Sequence, residues 1–311
     1  MDVHQLKILR ELGELGSVKA VADHLLVTPS AVSQHLAQLQ RGVGVPLTRK
    51  EGRNLVLTEA GAVLAEAGAG VVAAMARAHA AIEAFHQASH GQVSVSGFHS
   101  AGQALFAPLA RRLGADAGGP VARFTDEDVA QQEFPALTAR YDLVLAHRME
   151  HSPPWPTGRV AVLELAREPL DVALPFGHPL AGLAELEAAD VAREPWVTSR
   201  PGYSPDDVLG AIATVARTPP RIVHRINDYS TVAALVADGG VLGLLPRYTG
   251  RAALGLRDDV VLRPLRGLRT RRCIDLLARP EAFERRSVRI VADAFRDVMG
   301  ELVGATEGTP G

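Results

Sequence analysis

The residue types best suited to chemistry lie between Thr28 and Arg41. Thr28 has the chemistry of a helix N-cap, and Pro29 suits a first helical position, where its missing N–H costs nothing. Advancing about 100° per residue from that start places Val32, Leu36 and Leu39 together on an apolar face. Ser30, Ser33, Gln34, Ala37 and Arg41 fall on the opposite side. A face so small and polar can lie in the DNA major groove, where hydroxyl, amide and guanidinium groups reach base edges and phosphates. It would equally suit a solvated helix with no partner, so the neighbouring elements decide. Arg41, Arg49, Lys50 and Arg53 stand against Glu51 alone in this region, a local basic bias within a chain of net charge -2.

The elements around that helix fit a DNA reader. Leu6, Ile8, Leu9, Leu12 and Leu15 make an apolar helical stripe ending near Gly13 and Gly16. Ser17 can cap a second helix, in which Val18, Val21, Ala22 and Leu25 recur at i, i+3, i+4, i+7. After the third helix, residues 45–49 and 53–57 flank Lys50-Glu51-Gly52, a hairpin pattern with a Gly-containing turn. Three short helices and a basic-tipped hairpin make a winged helix-turn-helix over residues 1–58. Arg49, Lys50 and Arg53 would face the phosphate backbone, where contacts position a protein without reading sequence.

The run Gly16-Ser17-Val18-Lys19-Ala20-Val21-Ala22 through Val27-Thr28-Pro29-Ser30-Ala31-Val32-Ser33-Gln34 resembles the helix-turn-helix of LysR-type transcriptional regulators. So does its continuation through Leu39-Gln40, Gly44-Val45-Pro46-Leu47 and Arg53-Asn54-Leu55-Val56-Leu57-Thr58-Glu59-Ala60-Gly61. The resemblance implies base contacts from Pro29, Ser30 and Gln34, and phosphate contacts from Thr28, Ser33 and Arg53. Gln40 stands where an acidic residue is usual, Thr48 where Phe is usual, and Pro29-Ser30 where Gln-Pro is commoner. The Thr48 change is expected to loosen packing under the wing.

Residues 59–90 read as one long Ala-rich helix capped by Thr58. Leu64, Ala67, Val71, Met75, Ala78, Ile82 and Phe85 recur at steps of three and four, close to a coiled-coil period. In the family this helix pairs with its twin, which implies a homodimer or homotetramer. Two heads on a two-fold axis would read an interrupted inverted repeat in double-stranded DNA. Gly61, Gly68 and Gly70 are expected at close helix approaches or bends.

From residue 91 short strands alternate with helices. Strands are expected at residues 93–97, 142–146, 170–174, 196–198, 222–226 and 241–246 and around Leu276, with helices at 101–113, 230–237 and 282–302. The alternation predicts α/β lobes with mainly parallel sheets. The resemblance implies two Rossmann-like lobes, like those of periplasmic binding proteins, with a small-molecule effector between them. Lobe I would comprise residues 91–162 and 267–303 and lobe II residues 163–266, with the chain crossing near 160–165 and returning near 263–270. Residues 304–311 read as a disordered tail.

Ligands of such lobes gather where strands end and helices begin, and a helix N-terminus suits a carboxylate. Ser100, Thr198, Ser199, Asn227 and Asp228 occupy such places, and the family pattern puts effector contacts there. The expected effector is a small anionic metabolite. The competing reading of each residue is a helix cap, and that of the whole chain an α/β enzyme or ligand-binding protein acting on a small metabolite. The motifs of a nucleophile elbow, a phosphate loop or a zinc protease do not occur. His147, His151 and His178 have no metal-ligand spacing, so no metal or cofactor is expected.

The 311 residues, 47% of them hydrophobic, suffice for two or three domains. Cys273, the single cysteine, excludes an internal disulfide framework, and its apolar strand-like setting predicts a buried small hydrophobe. No uninterrupted apolar run of about 20 residues occurs, and the N-terminus lacks a basic start leading into an apolar run. A cytoplasmic protein without a membrane partner is expected, touching RNA polymerase if it activates.

Overall fold

The computed structural model describes residues 1–52, 54–85, 91–116, 118–156, 158–255 and 258–308. In the head, α1 (Val3–Leu15), α2 (Val18–Leu25) and α3 (Pro29–Val43) precede a hairpin of β1 (Thr48–Glu51) and β2 (Asn54–Leu57). Side-chain caps start the helices: Asp2 and Gln5 form a reciprocal capping box on α1, and the Ser17 hydroxyl accepts from the Ala20 amide on α2. The stripes expected on the three helices converge in one core with Ile8, Leu9, Leu12, Val21, Val32, Leu36 and Leu39 fully or almost fully buried.

The connecting helix α4 (Glu59–Phe85) adds Ala65 to that core and runs along α1. Its expected extension beyond Phe85 lies outside the described residues. Two of its three early glycines mark close approaches. A Cβ on Gly61 would stand 2.0 Å from the Leu47 carbonyl oxygen, and one on Gly68 3.2 Å from the Leu6 side chain. One on Gly70 would meet open space. By length and composition α4 could also cross a bilayer, since Glu59–Ile82 has a mean hydropathy of 1.4. The face turned to α1 and the wing is buried, whereas Val63, Val71, Met75 and Ile82 are exposed.

Beyond α4 come β3 (Gln92–Gly97), α5 (His99–Gly114), β4 (Val121–Asp126), α6 (Phe134–Leu137) and β5 (Leu143–Met149). The long β6 (Ala161–Pro175) then leads into α7 (Ala188–Val191), β7 (Pro195–Thr198), α8 (Ser204–Ala216), β8 (Arg221–Arg225), α9 (Tyr229–Ala237) and β9 (Gly243–Pro246). The chain closes with α10 (Arg251–Leu254), β10 (Val260–Arg263), β11 (Arg271–Ala278) and α11 (Arg286–Glu307).

Two lobes result. Strands β4, β3, β5 and β11 and the first half of β6 carry one core, against which α5 and α11 pack. The second half of β6, with β10 and β9, and the pair β7–β8 carry the other. Four expectations need correction here. The sheets are mixed: β3 pairs parallel with β4 and β5, but β11 pairs antiparallel with β5 and β6, as do β9 and β10 with β6. The strand expected at 170–174 is the second half of a 15-residue strand. Residues 161–167 of it mix half-buried and exposed positions, and Glu164, Arg167 and Glu168 interrupt the apolar pattern, which hid it. The first crossing therefore falls between Pro169, paired with Arg271, and Leu170, paired with Pro246, later than 160–165. Residues 304–307 are helical rather than a disordered tail, because Leu302 and Val303 pack on the first lobe's core and Tyr248 donates to Glu307 at 2.8 Å. Strands β4 and β10 and helices α6, α7, α8 and α10 were not foreseen.

Cys273 is buried on β11, and that burial pushes its thiol up, consistent with the expected small hydrophobe.

Candidate nucleic-acid interface and interlobe cleft

The polar face of α3 is produced by what lies behind it. The Thr28 hydroxyl accepts from the Ala31 amide at 3.2 Å, and Pro29 takes the first helical position. Burial of Val32, Leu36 and Leu39 then leaves Thr28, Pro29, Ser30, Ser33, Gln34, Ala37 and Arg41 exposed on one side. The Ser33 hydroxyl donates to the Pro29 carbonyl at 3.0 Å. The chain enters this helix through Leu26, whose left-handed φ of 54° makes the turn after α2.

The wing is rooted on α3. The Gln40 side-chain oxygen accepts from the Leu47 amide at 2.9 Å and lies 3.4 Å from that of Thr48. An amide thus supplies the acceptor at the position where an acid is usual. Thr58 donates to the Pro46 carbonyl at 2.7 Å and accepts from the Gly61 amide at 3.0 Å, tying the wing's base to α4. Arg49 and Lys50 are exposed on β1, and Arg49 lies 3.2 Å from Glu51, so its charge is partly matched. Arg53 lies outside the described residues.

The second candidate site is the cleft between the lobes. Ser100, Ser199 and Asn227 meet there, joined by Phe98, Asp128, His147, Tyr203, Ser204, Tyr229 and Arg272. Ser100 opens α5 and is buried, with its hydroxyl 3.4 Å from Arg272. Ser199 accepts from the Asp206 amide at 3.1 Å at the start of α8. Asn227 accepts from the Arg200 amide at 3.0 Å and donates to Asp128 at 3.1 Å across the cleft. Thr198 is buried behind this wall, and its hydroxyl has no hydrogen-bond partner. Asp228 sits at the rim, where it caps α9 by accepting from the Thr231 amide at 2.7 Å and lies 3.2 Å from His99. Three of the five expected residues therefore line the cleft and two do not.

Sequence reasoning missed Arg272, which lines the cleft, and its partner Glu168. Arg272 is 1% exposed and Glu168 is fully buried; the guanidinium donates to the carboxylate at 2.8 and 3.0 Å. Glu168 also accepts from the Tyr248 amide, and Arg272 donates to the Thr249 hydroxyl at 2.9 Å. Arg272 lies over the Phe98 ring. An apolar strand does not advertise a buried Arg, so no sequence signal pointed to it. His147 is buried beside it, with Nδ1 3.1 Å from Ser204 Oγ. Burial first, and the Arg272 charge second, hold His147 well below its ordinary value, so the ring is neutral.

The cleft is closed. Its free volume is about 30 Å³, room for a water molecule or two. His99–Asp228, Asp128–Arg200, Asp128–Asn227 and His147–Ser204 all bridge the lobes. A ligand must part these contacts to enter. Among the described residues no cluster of three or more His, Cys, Asp or Glu is placed to hold a metal.

The family model described as a bacterial regulatory helix-turn-helix protein of the lysR family matches residues 3–62, and that of the LysR substrate binding domain matches residues 86–300. The chain is 24% identical over 262 residues to an uncharacterized HTH-type transcriptional regulator, YybE, of Bacillus subtilis, covering 80% of this chain and 84% of that one. It is 25% identical over 286 residues to the Hca operon transcriptional activator HcaR of Escherichia coli, covering 86% and 88%. A full-length OxyR variant from Pseudomonas aeruginosa superposes with a TM-score of 0.63 at 17% identity, over 95% of this chain and 98% of that one. CbnR complexed with its target DNA gives 0.53 at 20% identity, over 96% and 100%. These two likenesses concern the fold.

Proposed function

The chain belongs to the LysR family of transcriptional regulators, and from that premise we propose that α3 reads operator DNA under the control of a small molecule seated between the lobes. The observation that carries the reading is the exposed set Thr28, Pro29, Ser30, Ser33 and Gln34 at the start of α3. In this reading Pro29, Ser30 and Gln34 meet base edges. Thr28, Ser33, Arg49, Lys50 and Arg53 meet phosphates.

The exposed apolar stripe of α4 supports a homodimer built on that helix, because α4 leaves Val63, Val71, Met75 and Ile82 in water. Paired heads then read an interrupted inverted repeat. A tetramer, contact with RNA polymerase if the outcome is activation, and residence in the cytoplasm without a membrane partner complete the proposal.

The proposed effector is a small metabolite bearing one carboxylate, held by Ser100, Ser199, Asn227 and Arg272, with Thr198 and Asp228 behind and beside them. Arg272 and the start of α5 favour an anion. Glu168 already matches the Arg272 charge and Asp128 that of Arg200, so the preference is modest and suits a ligand of low charge. Melting the full chain in the presence of individual small carboxylates tests this. A saturable upward shift that is lost in Ser199→Ala/Asn227→Ala supports the cleft, whereas no shift with any of them removes effector control from the proposal.

A further inference from the structure

A second charged cluster lies far from both sites, where the head meets lobe I. Glu11 on α1 is fully buried although it is a carboxylate. Arg279, just past the end of β11, donates to both of its oxygens, one at 2.7 Å, and also reaches Glu14. Beside them Arg10 on α1 donates to Glu281 of lobe I and lies 3.6 Å from Glu11. The pairing is reciprocal: a head acid holds a lobe base, and a head base holds a lobe acid. Such an arrangement fixes one docking register and penalises others by like-charge contact.

The contact is specific without being tight. Arg10 Nε, Arg279 Nε and Glu281 Oε2 are buried without hydrogen-bond partners, which offsets part of the ion-pair attraction. Three cavities of about 430, 500 and 560 Å³ flank the junction, each lined by head and lobe I residues together. No residue belongs to both the head core and the lobe I core, and the side-chain hydrogen bonds named across the junction run between charged pairs. An interface of that kind selects an orientation and opens at low cost.

One strand connects this junction to the cleft. β11 carries Arg272 at its cleft end and delivers Arg279 to the head at the other, seven residues later. At about 3.3 Å per residue that is a rod of roughly 23 Å. It is buried and paired on both sides, to β5 and to the first half of β6. β6 also holds Glu168 against Arg272 and continues into lobe II. A lobe II rotation thus acts on a strand bonded directly to β11.

We propose that the Glu11–Arg279 and Arg10–Glu281 pairs form an intrachain docking surface that holds the DNA-reading head on its own lobe I, and that β11 links the state of the cleft to this surface. The coupling to the cleft rests on the regulator reading given above; the docking itself does not. Undocked heads are free to reorient on two half-sites, and docked heads are not.

Spin-label distance measurements on the full chain test the docking. With Cys273→Ser as background, labels are placed at Lys19→Cys on the head and Val121→Cys on lobe I, both exposed. Excess unlabelled protein restricts the signal to distances within one chain. A single narrow distribution is expected, and it should broaden and lengthen in both Arg279→Glu and Glu281→Arg. The paired exchange Arg10→Glu/Glu281→Arg should recover the narrow component. Using both single variants, each confirmed to keep the lobes' melting transition, guards against simple misfolding. Unchanged distributions in both variants, or a narrow component that vanishes on dilution with unlabelled chains, would overturn the proposal. Neither result would touch operator binding, which is measured separately on the same samples.

Discussion

The imidazole Nδ1 of His147, on lobe I strand β5, lies 3.1 Å from the hydroxyl of Ser204, at the start of lobe II helix α8. The pair bridges the cleft with a neutral ring, since burial and then Arg272 hold the imidazole well below its ordinary value. A His with a depressed folded value takes up its proton more readily when unfolded. The stability it supports is therefore complete above about pH 6.5 and declines as pH falls through that unfolded value toward the folded one. Melting temperature should drop between about pH 7 and pH 5, and His147→Gln should flatten that part of the profile. A profile equally steep in the variant would contradict this.

Arg272→Ala should destabilise the chain by about 3–5 kcal/mol, because it leaves the Glu168 carboxylate buried without its counter-charge. Adding Glu168→Gln should recover a large part of the loss. Urea unfolding measures both, and a loss below about 1 kcal/mol would mean that the pair is not desolvated as described.

Gly61→Ala and Gly70→Ala should act in opposite directions. A methyl on Gly61 meets the Leu47 carbonyl, where only a backbone shift makes room, so a loss of about 1–3 kcal/mol is expected. Gly70 faces open space, so the better helix former should add up to about 1 kcal/mol. Thermal unfolding of the full chain distinguishes them, and equal effects would contradict the packing of α4 on the wing.

Val71→Glu/Met75→Glu should weaken self-association by at least about 100-fold, the effect of some 3 kcal/mol lost from a buried seam, while leaving the head's fold intact. Light scattering across a concentration series reads the result. Unchanged association would move the dimer contact off this face of α4.

The head was legible because every signal in it is local. The caps Ser17 and Thr28-Pro29 and the stripes through Leu9, Val21 and Leu36 depend on neighbours a few residues away, and they coincide with the observed helices and core. Ser100, Ser199 and Asn227 were legible as positions between a strand and a helix. Arg272, Glu168 and His147 were not, because each acquires its role from a partner on another element. Glu168 lies 104 residues from Arg272, and only folding shows that the two share one buried site. The antiparallel run of β11 and the first half of β6 escaped for the same reason: the register is set by the chain's return from the second lobe, not by any periodicity in the strand.

Operator footprinting tests the central claim most directly. The full chain is titrated onto a duplex from the region upstream of its own gene, at several salt concentrations. Protection of two half-sites about one helical turn apart is predicted, weakening with salt as phosphate contacts release counterions. Gln34→Ala should relax or abolish the protected pattern. Arg49→Ala/Lys50→Ala should instead lower affinity evenly and reduce the salt dependence. No protected region, or binding that is blind to sequence and unchanged in Gln34→Ala, would contradict the assignment of α3 as the DNA-reading helix.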